Sequence, residues 1–482
     1  MEYKHGVYTR EQATSLVPMT ATSGGLVVAF GTAPIHLAQT AAAVNTPLLC
    51  YSYKEAVAAF GYSEDWENYT LAEVIKTHFA LFNMAPLVLV NVLDPEKHKK
   101  SVKDKQVDVK GGIVTVADPV VLSTLEVKLT AEHQKLVLNT DYTAAYDAAG
   151  QVVITPMDGG GIPSGTANLC LSYTALNPAA VKAVDIIGGV NAATNRTDGL
   201  ELIDEVFPRF GLVPGIIIAP GWSHDVNVAA VMRAKEHNIC GHFNAISICD
   251  IPSDEVKTYT AASKWKNEKS AADKDCILCW PLVKQGKEKY HLSAQIASLM
   301  NRIDSEHDDI PYYSPSNKSI QADGACLADG TEVFLNAAQA AYLNGQGVVT
   351  ALNYIGGWKS WGNRTAAYPS NTDVKDSLIN NRRMFNWVGN TLVTTFWSKI
   401  DEPTNKRLIE TVVDSANIWL NGLTAKGALL GGRVEFREDE NTTTELMDGI
   451  IRFHVHLTPP APARDIEFVM EYDPGYISAL FS

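Results

Sequence analysis

Short apolar runs alternate with amphipathic stretches over much of the first 365 residues. The continuous apolar runs are typical of buried strands in a parallel sheet covered on both faces, and the amphipathic stretches are typical of the covering helices. The predicted strands are at 26–31, 86–92, 214–219, 242–249 and 276–283. The predicted helices are at 71–82, 200–210, 226–237, 253–269 and 292–303, with Ser253 as the N-cap of the fourth. The pattern predicts an α/β core over residues 23–93 and 179–365.

Residues 94–178 interrupt this alternation. A lysine-rich stretch opens the segment, and short β-type runs separated by Asp-Pro, Asp-Tyr and Gly-rich turns follow it. The predicted strands are at 112–116, 125–129, 135–139 and 151–155. We expect a small all-β domain inserted into the core, because a surface loop tolerates such an insertion.

Residues 366–463 have a third pattern, which predicts an α+β C-terminal domain. Thr372-Asp373 is expected to cap one long helix that reaches Phe396, and Asp401-Glu402-Pro403 to open a second helix that stops at Asn421-Gly422. A β region follows.

The two ends of the chain are candidates for extended arms, at 1–22 and 464–482. Near the C-terminus, two stretches alternate apolar with polar residues on either side of the proline-rich segment 458–463. Their apolar members are Ile451, Phe453, Val455 and Leu457, and then Ile466, Phe468, Met470 and Tyr472. The second stretch can fold back as a hairpin or add to another molecule's sheet. Residues 1–22 are mostly polar, and a disordered terminus is the alternative there.

Composition narrows the range of partners. The chain has a formal net charge of −14, which argues against nucleic acid or an anionic membrane as the main partner. Seven scattered cysteines indicate reduced thiols in a cytoplasmic setting. The opening residues show no secretory signal pattern, and every apolar run is too short to span a bilayer.

Ser223, His224 and Asp225 are the candidate catalytic residues, and their spacing does not favour catalysis. Side chains adjacent on one turn cannot align as a nucleophilic triad. The simpler interpretation is that Ser223 caps the helix at 226–237 with Asp225 in its first turn. A hydrolase built on the α/β core stays an alternative, and it needs a second histidine or acid that converges from elsewhere.

The other candidate sites are incomplete, so we expect no cofactor or metal. Cys276 and Cys279 have CxxC spacing but lie in an apolar strand, and His454 and His456 have no third ligand. The acidic residues at 304–309 lack the EF-hand spacing, and Gly159–Gly161 do not precede a helix. A carbohydrate-binding module in the inserted domain is a further alternative, with only three aromatic candidates there: Tyr142, Tyr146 and Tyr173.

Several motifs occur in an order that resembles the contractile phage tail sheath family, which includes the sheaths of tail-like bacteriocins and prophage remnants. The chain opens with Gly6-Val7-Tyr8 and then a Gly-Leu-Val-Val-Ala-Phe-Gly stretch at 25–31. The later similar segments are at 207–221, 343–349, 361–365 and 381–385. The similarity covers nearly the whole chain and is weakest at 94–178.

The resemblance implies a subtilisin-like core without protease residues and a structural role in a tail or tail-like particle assembled in the bacterial cytoplasm. Arms of each subunit would add strands to neighbouring subunits, with Val7, Tyr8 and the apolar residues of 464–475 in the arms and 450–457 in the receiving sheet. By the same resemblance, stacked hexameric rings would surround an inner tube, meet baseplate and terminator proteins, and contract to drive the tube through an envelope. Candidate tube contacts are Arg382, Arg383, Lys406 and Arg407.

Overall fold

The first part of the chain builds one half of a central sheet. The structure, a computed structural model, describes residues 17–192 and 195–481, so Val7 and Tyr8 lie outside the described residues. The first strands are β1 (Val27–Gly31), β2 (Leu48–Cys50) and β3 (Leu87–Asn91). The helices α1 (Tyr53–Phe60) and α2 (Thr70–Ile75) lie between them, and a π-helical turn at Lys76–Leu81 extends α2. β1 and β3 are buried along their whole length, as their continuous apolar sequences require.

Residues 99–176 form two antiparallel sheets of three strands. The strands are β4 (Lys99–Asp108), β5 (Val114–Val116), β6 (Glu126–Lys128), β7 (Tyr142–Tyr146), β8 (Val152–Pro156) and β9 (Asn168–Leu176). Their strand orders are β4-β9-β6 and β5-β8-β7, and buried residues such as Val114, Ile154 and Leu171 form a core of their own. The strand predicted at 135–139 is absent from this described segment, whereas the lysine-rich β4 was not predicted.

The chain then returns to the central sheet. The helices of this part are α3 (Ala183–Ile187), α4 (Val206–Phe210), α5 (Val226–Ala234), α6 (Tyr259–Glu268), α7 (Leu292–Ser305) and α8 (Ala337–Gly345). The first five strands of this part are β10 (Gly189–Asn191), β11 (Arg196–Asp198), β12 (Ile216–Ile218), β13 (Ile246–Asp250) and β14 (Cys276–Cys279). The remaining strands are β15 (Leu282–Gln285), β16 (Glu288–Tyr290), β17 (Lys318–Ser319), β18 (Gly324–Cys326), β19 (Val348–Tyr354) and β20 (Gly357–Trp361).

The central sheet has the strand order β17-β20-β19-β14-β13-β12-β1-β3-β2. Its six middle strands, from β19 to β3, run parallel, and Val28 of β1 lies opposite Ile217 of β12 and Val88 of β3. Each outer strand is antiparallel to the strand beside it: β2 to β3, β20 to β19 and β17 to β20. The fold is therefore mixed α/β, as the alternating pattern predicted.

Two predicted elements of the core have different bounds in the structure. The strand expected over 276–283 is divided into β14 and β15 around Trp280-Pro281, because a proline has no N–H to donate to a ladder. The helix expected to begin at Ser253 begins at Tyr259, and Thr258 is its cap, with Oγ1 accepting from the Ala261 N–H at 3.2 Å. Ser253 is buried instead.

The C-terminal region packs long helices against a small sheet. Its elements are α9 (Val374–Ser377), α10 (Ile379–Phe396), α11 (Lys406–Ala425), β21 (Gly431–Glu435), α12 (Thr443–Met447) and β22 (His454–Thr458). The single helix predicted from Thr372 is interrupted at Leu378, whose backbone is extended. α11 begins at an Asn405 cap and passes through Asn421-Gly422 to Ala425, so both predicted bounds were wrong. Residues of α10 and α11, such as Trp387 and Leu420, form the local apolar core.

None of the helices in the described part of the chain is both long and apolar enough to cross a membrane.

Candidate functional site

The small C-terminal sheet is the first candidate assembly surface. β21 and β22 pair antiparallel, with Val434 opposite Val455, and they are the whole of this sheet within the described residues. Phe453, Val455 and Leu457 pack one face of β22 against the apolar core of α10 and α11. Since a sheet of two strands is marginally stable alone, packing on these helices supports it and a further strand would stabilise it.

The two edges of this sheet differ. The side chain of Asn417 on α11 bonds both backbone groups of Val434: its Nδ2 donates to the carbonyl at 3.0 Å, and its Oδ1 accepts from the N–H at 2.8 Å. Val434 therefore directs its backbone polar groups away from β22. In an antiparallel pair the opposite residue, Val455, then directs its own N–H and C=O away from β21. No described strand pairs with that side of β22, so its edge is open.

A second asparagine closes the connection between the two strands. Asn441 Oδ1 accepts from the Arg452 N–H at 2.7 Å, and its Nδ2 donates to the carbonyls of Arg452 and Arg437 at 2.9 and 2.8 Å. β22 begins two residues later at His454, so Ile451 and Phe453 of the predicted receiving stretch precede the regular strand. Val455 and Leu457 lie within it.

The outer face of this sheet carries the histidine pair. The rings of His454 and His456 stack with centroids 4.5 Å apart, and Arg437 Nη2 lies 3.0 Å from His456 Nε2. Arg437 also pairs with Glu435 at 3.1 Å. A guanidinium in contact with an imidazole repels a metal cation, so the pair is better explained as part of a polar outer face than as a metal site.

The C-terminal segment supplies an uncovered apolar strip. Ile466, Phe468, Met470 and Tyr472 are 69%, 85%, 93% and 82% exposed. Residues 464–473 form neither helix nor strand, and a 3-10 helix follows at Pro474–Phe481. Large apolar side chains exposed in a row mark a surface that binds another protein.

The proline-rich tether before this segment is bonded to α10. Asn380 Nδ2 on α10 donates to the carbonyl of Pro460 at 3.1 Å, which holds the chain over the core. The tether borders a cavity of about 800 Å³ that Tyr313 and Trp361 also line. The strip does not pair with β22 of its own molecule in the structure.

Residues 17–24, which include the end of the predicted N-terminal arm, run along the C-terminal helices. The backbone N–H groups of Val17 and Thr20 donate to Ser415 Oγ and Thr395 Oγ1 at 2.8 and 3.0 Å. Farther along, Arg383 Nη2 donates to the carbonyl of Gly24 at 3.0 Å. This part of the chain is anchored on α10 and α11 of its own molecule.

The chain is similar in sequence to tail sheath proteins. No protein-family model matches the sequence. The chain is 28% identical over 497 residues to a tail sheath protein of the Burkholderia phage BcepMu, and the match covers 99% of this chain and 98% of the relative. It is 26% identical over 296 residues to a putative prophage major tail sheath protein of Pseudomonas aeruginosa, covering 60% of this chain and 72% of the relative. The chain belongs to the contractile tail sheath family.

Solved sheath structures have the same fold. The sheath of the extracellular contractile injection system PVC, in its contracted state, superimposes with a TM-score of 0.59 at 14% identity, covering 98% of this chain and 99% of that chain. The contracted helical sheath of the anti-feeding prophage gives a TM-score of 0.57 at 13% identity, covering 98% and 100%. At this identity the similarity establishes the fold, and the sequence relatives establish the role of the chain as a structural sheath subunit.

The structure separates the four basic candidates for tube contact in this sheath subunit. Arg383 is buried and forms a bidentate ion pair with Asp304. Arg382 pairs with Asp275 at 2.9 Å and with Asp376 at 3.2 Å. Both arginines therefore tie α10 to neighbouring parts of the same molecule. Lys406 and Arg407, at the start of α11, are exposed.

The predicted serine site has a structural explanation in the sheath fold. Asp225, and not Ser223 as predicted, caps α5, with its carboxylate accepting from the N–H of Asn227 at 2.8 Å. Ser223 is buried, and its Oγ accepts from the N–H of Asp250 at 3.0 Å. The hydroxyl also donates to Asp250 Oδ2 at 3.5 Å, so within the described residues its hydrogen bonds are with Asp250 and not with His224.

His291, which the sequence analysis did not single out, lies in the same region as this serine. His291 Nδ1 is 2.8 Å from the buried carboxylate of Glu73, far away in sequence. Burial lowers the pKa of His291, but the Glu73 charge and hydrogen bond outweigh it and raise the pKa to about 9. A histidine that is already protonated at neutral pH cannot accept a proton from a serine.

The CxxC pair lies inside β14, where both cysteines are buried. A hydrogen bond with Cys249 and burial raise the pKa of the Cys276 thiol well above its usual value. Thiols that stay protonated are poor nucleophiles and poor redox groups. Their position indicates a packing role.

Proposed function

We propose that this sheath subunit joins its neighbours by strand addition, in which residues 464–472 of one copy pair with the open edge of β22 in another. The observation that carries the proposal is the exposed alternating apolar strip, which no described residue of its own molecule covers. A β-strand places alternate side chains on one face, so Ile466, Phe468, Met470 and Tyr472 would all point the same way.

The open edge of β22 suits such a partner. Backbone pairing at Val455 and Leu457 would set the register, because those groups point away from β21. The apolar face of the added strand would continue the face that Val455 and Leu457 pack against the helices. The tether supports exchange between molecules, since Asn380 holds Pro460 on α10 and the strip after it does not pair with its own β22.

The N-terminal arm is proposed as a second connection. Residues 17–24 are anchored along α10 and α11. Val7 and Tyr8, which lie outside the described residues, would add to a neighbouring subunit. Strand addition by both ends would join each subunit to two neighbours. Flexible connections of this kind let rings rotate and slide while they remain joined.

We further propose that the α/β part is the subtilisin-like core of the family, that residues 94–178 form its outward-facing inserted domain, and that residues 366–463 face the inner tube. Subunits would stack as hexameric rings around that tube, between baseplate and terminator proteins, in a tail or tail-like particle assembled in the bacterial cytoplasm. Contraction would be driven by the additional surface that the subunits bury in the compact arrangement. Of the candidate tube contacts, Lys406 and Arg407 are supported by their exposure.

A pair of matched double variants tests strand addition. Phe468→Ser with Met470→Ser removes two apolar side chains from the proposed inward face, and Glu467→Ser with Glu471→Ser changes two residues of the opposite face. We expect the first pair to abolish sheath polymers in sedimentation and negative-stain microscopy and the second to preserve them. Equal polymerisation of the two variants would refute the role of the arm. Unchanged polymerisation of a chain lacking residues 464–482 would refute it as well.

A further inference from the structure

Four potential metal ligands meet at the amino-terminal end of β14. Glu236 and His237 follow α5, and Asp273 and Asp275 precede β14. One ligand atom from each lies within 4.8 Å of the others. The spacing in sequence did not reveal this cluster, because the core brings together two loops more than thirty residues apart.

Two of these carboxylates are buried and only half satisfied. Glu236 Oε1 accepts from the N–H of Ser247 at 3.2 Å, and Asp275 Oδ1 accepts from Asn386 Nδ2 at 2.7 Å. Within the described residues, the second oxygens, Glu236 Oε2 and Asp275 Oδ2, have no hydrogen-bond partner, although the two residues are 0% and 1% exposed. The ring nitrogen His237 Nε2 lies 3.5 Å from Asp275 Oδ2. A buried carboxylate oxygen without a partner costs folding free energy, so both atoms point to a missing group.

Charge identifies that group as a cation. Three carboxylates meet at this point, and the basic side chains beside Asp275 are Arg382, 2.9 Å from Oδ1, and His237, 3.5 Å from Oδ2. Arg382 is shared with Asp376, so the cluster retains an excess of negative charge. One cation placed among these groups can contact both Glu236 and Asp275.

We propose that Glu236, His237, Asp273 and Asp275 bind one divalent transition-metal ion. An imidazole with carboxylates is a ligand set for Zn²⁺, which binds such N and O sites more strongly than Mn²⁺ or Fe²⁺. Ligands about 2.0–2.2 Å from one ion are separated by up to about 4.4 Å, so small side-chain movements complete the site. His237 and Asp273 are half-buried and provide the route of entry.

The ion would stabilise the contact between the core and the C-terminal domain. Asp275 already bonds Arg382 and Asn386, both on α10. A metal on its other oxygen would fix this carboxylate between β14 and α10. The inference is independent of strand addition, since none of its residues lies in the arm or the small sheet.

The test uses the full chain after EDTA treatment and gel filtration, with ZnCl₂ as the probe. We expect about one Zn²⁺ per chain by elemental analysis and calorimetry, with a rise in the thermal midpoint. Asp273→Asn and His237→Gln change half-buried ligands and should reduce affinity at least tenfold. His133→Gln, which alters an exposed histidine in the inserted domain, should bind as the natural chain does.

The Glu236→Gln variant distinguishes a bound cation from a proton shared between Glu236 and Asp275. Under the proposal this variant loses Zn²⁺ binding and loses the Zn²⁺-dependent rise in thermal midpoint, while remaining folded. The proposal is overturned if the natural chain binds no Zn²⁺, or if His237→Gln and Asp273→Asn bind it with unchanged affinity. Since these readouts do not involve polymerisation, failure here is distinct from failure of the proposed arm.

Discussion

Asn417 of α11 and Val434 of β21 form a reciprocal pair in which one side-chain amide bonds both the N–H and the C=O of one strand residue, at 2.8 and 3.0 Å. The amide thus takes the place of a neighbouring strand at this position. The pair makes the two edges of the small sheet unequal: β21 is capped by a helix at Val434, and β22 is open. This inequality favours β22 as the edge that receives a strand from another subunit.

Removing this amide is expected to weaken the C-terminal domain and expose a second edge. In Asn417→Ala the N–H and C=O of Val434 lose their partner, at a cost of about 1–3 kcal/mol in the free energy of unfolding. Urea denaturation measures this loss, and light scattering measures association through the uncapped edge. Asp414→Ala, at an exposed position of the same helix, is the control and should change stability little. Equal stability of the two variants would contradict the capping role.

The buried pair of Arg383 and Asp304 predicts a strong stability effect. Arg383→Met leaves the Asp304 charge buried and uncompensated, so we expect a loss of about 3–5 kcal/mol. Adding Asp304→Asn should recover part of that loss, because the stranded charge is then removed. Chemical denaturation of the single and double variants measures the coupling between the two changes.

A surface pair provides the comparison for this ion pair. Lys406 and Glu410 lie 3.6 Å apart on α11, with side-chain exposures of 89% and 58%. Lys406→Met should cost at most a few tenths of a kcal/mol, as is typical of exposed i,i+4 pairs. A loss in Arg383→Met as small as the loss in Lys406→Met would show that the buried pair contributes little.

The contact between His291 and Glu73 predicts a decline in stability at alkaline pH. The pKa of His291 is raised from 6.5 to about 9 in the folded chain. Its contribution to stability is therefore complete below pH 6.5, decreases above that value and is lost as the pH rises through about 9. Thermal midpoints measured from pH 6 to pH 10 should fall over this window, and His291→Gln should flatten the fall. A profile unchanged by His291→Gln, with His133→Gln as the control, would contradict the assignment.

Charge reversal tests the proposed tube contact. Lys406→Glu with Arg407→Glu should leave self-assembly intact and reduce co-sedimentation with the purified inner tube protein, because two exposed positive charges are replaced. The matched control is Lys100→Glu with Lys103→Glu on β4, in the inserted domain, where both lysines are exposed. Equal tube binding by the two double variants would exclude Lys406 and Arg407 as the contact.

Local patterns predicted the elements whose burial is uniform. β1, β3, β12 and α7 appear close to their expected bounds, because continuous or helically spaced apolar residues have few alternative structures. β4 was missed because most of its residues are exposed and charged, and its strand structure comes from pairing with β9. The break at Leu378 was missed because its extended backbone interrupts an apolar pattern that continues through it.

Side-chain roles depended more on tertiary structure than on pattern. Arg382 and Arg383 are neighbours in sequence and were grouped as surface bases, yet the fold brings Asp275 and Asp304 to them. Ser223 was expected to cap a helix, and Asp225 does so, while Ser223 faces Asp250. Such contacts join residues from 27 to 107 positions apart, a separation that no periodic pattern records.

The sequence alone determined the alternation of strands and helices, the sheath family, and the presence of two apolar alternating stretches beside a proline-rich tether. These features follow from local spacing and from the order of motifs. Tertiary structure decided that Asn417 caps one edge and leaves the other open, that Arg383 is buried, and that four ligands converge beside β14. Each of these depends on which distant groups folding brings within a few ångströms, because hydrogen bonds and buried charges are satisfied only at contact.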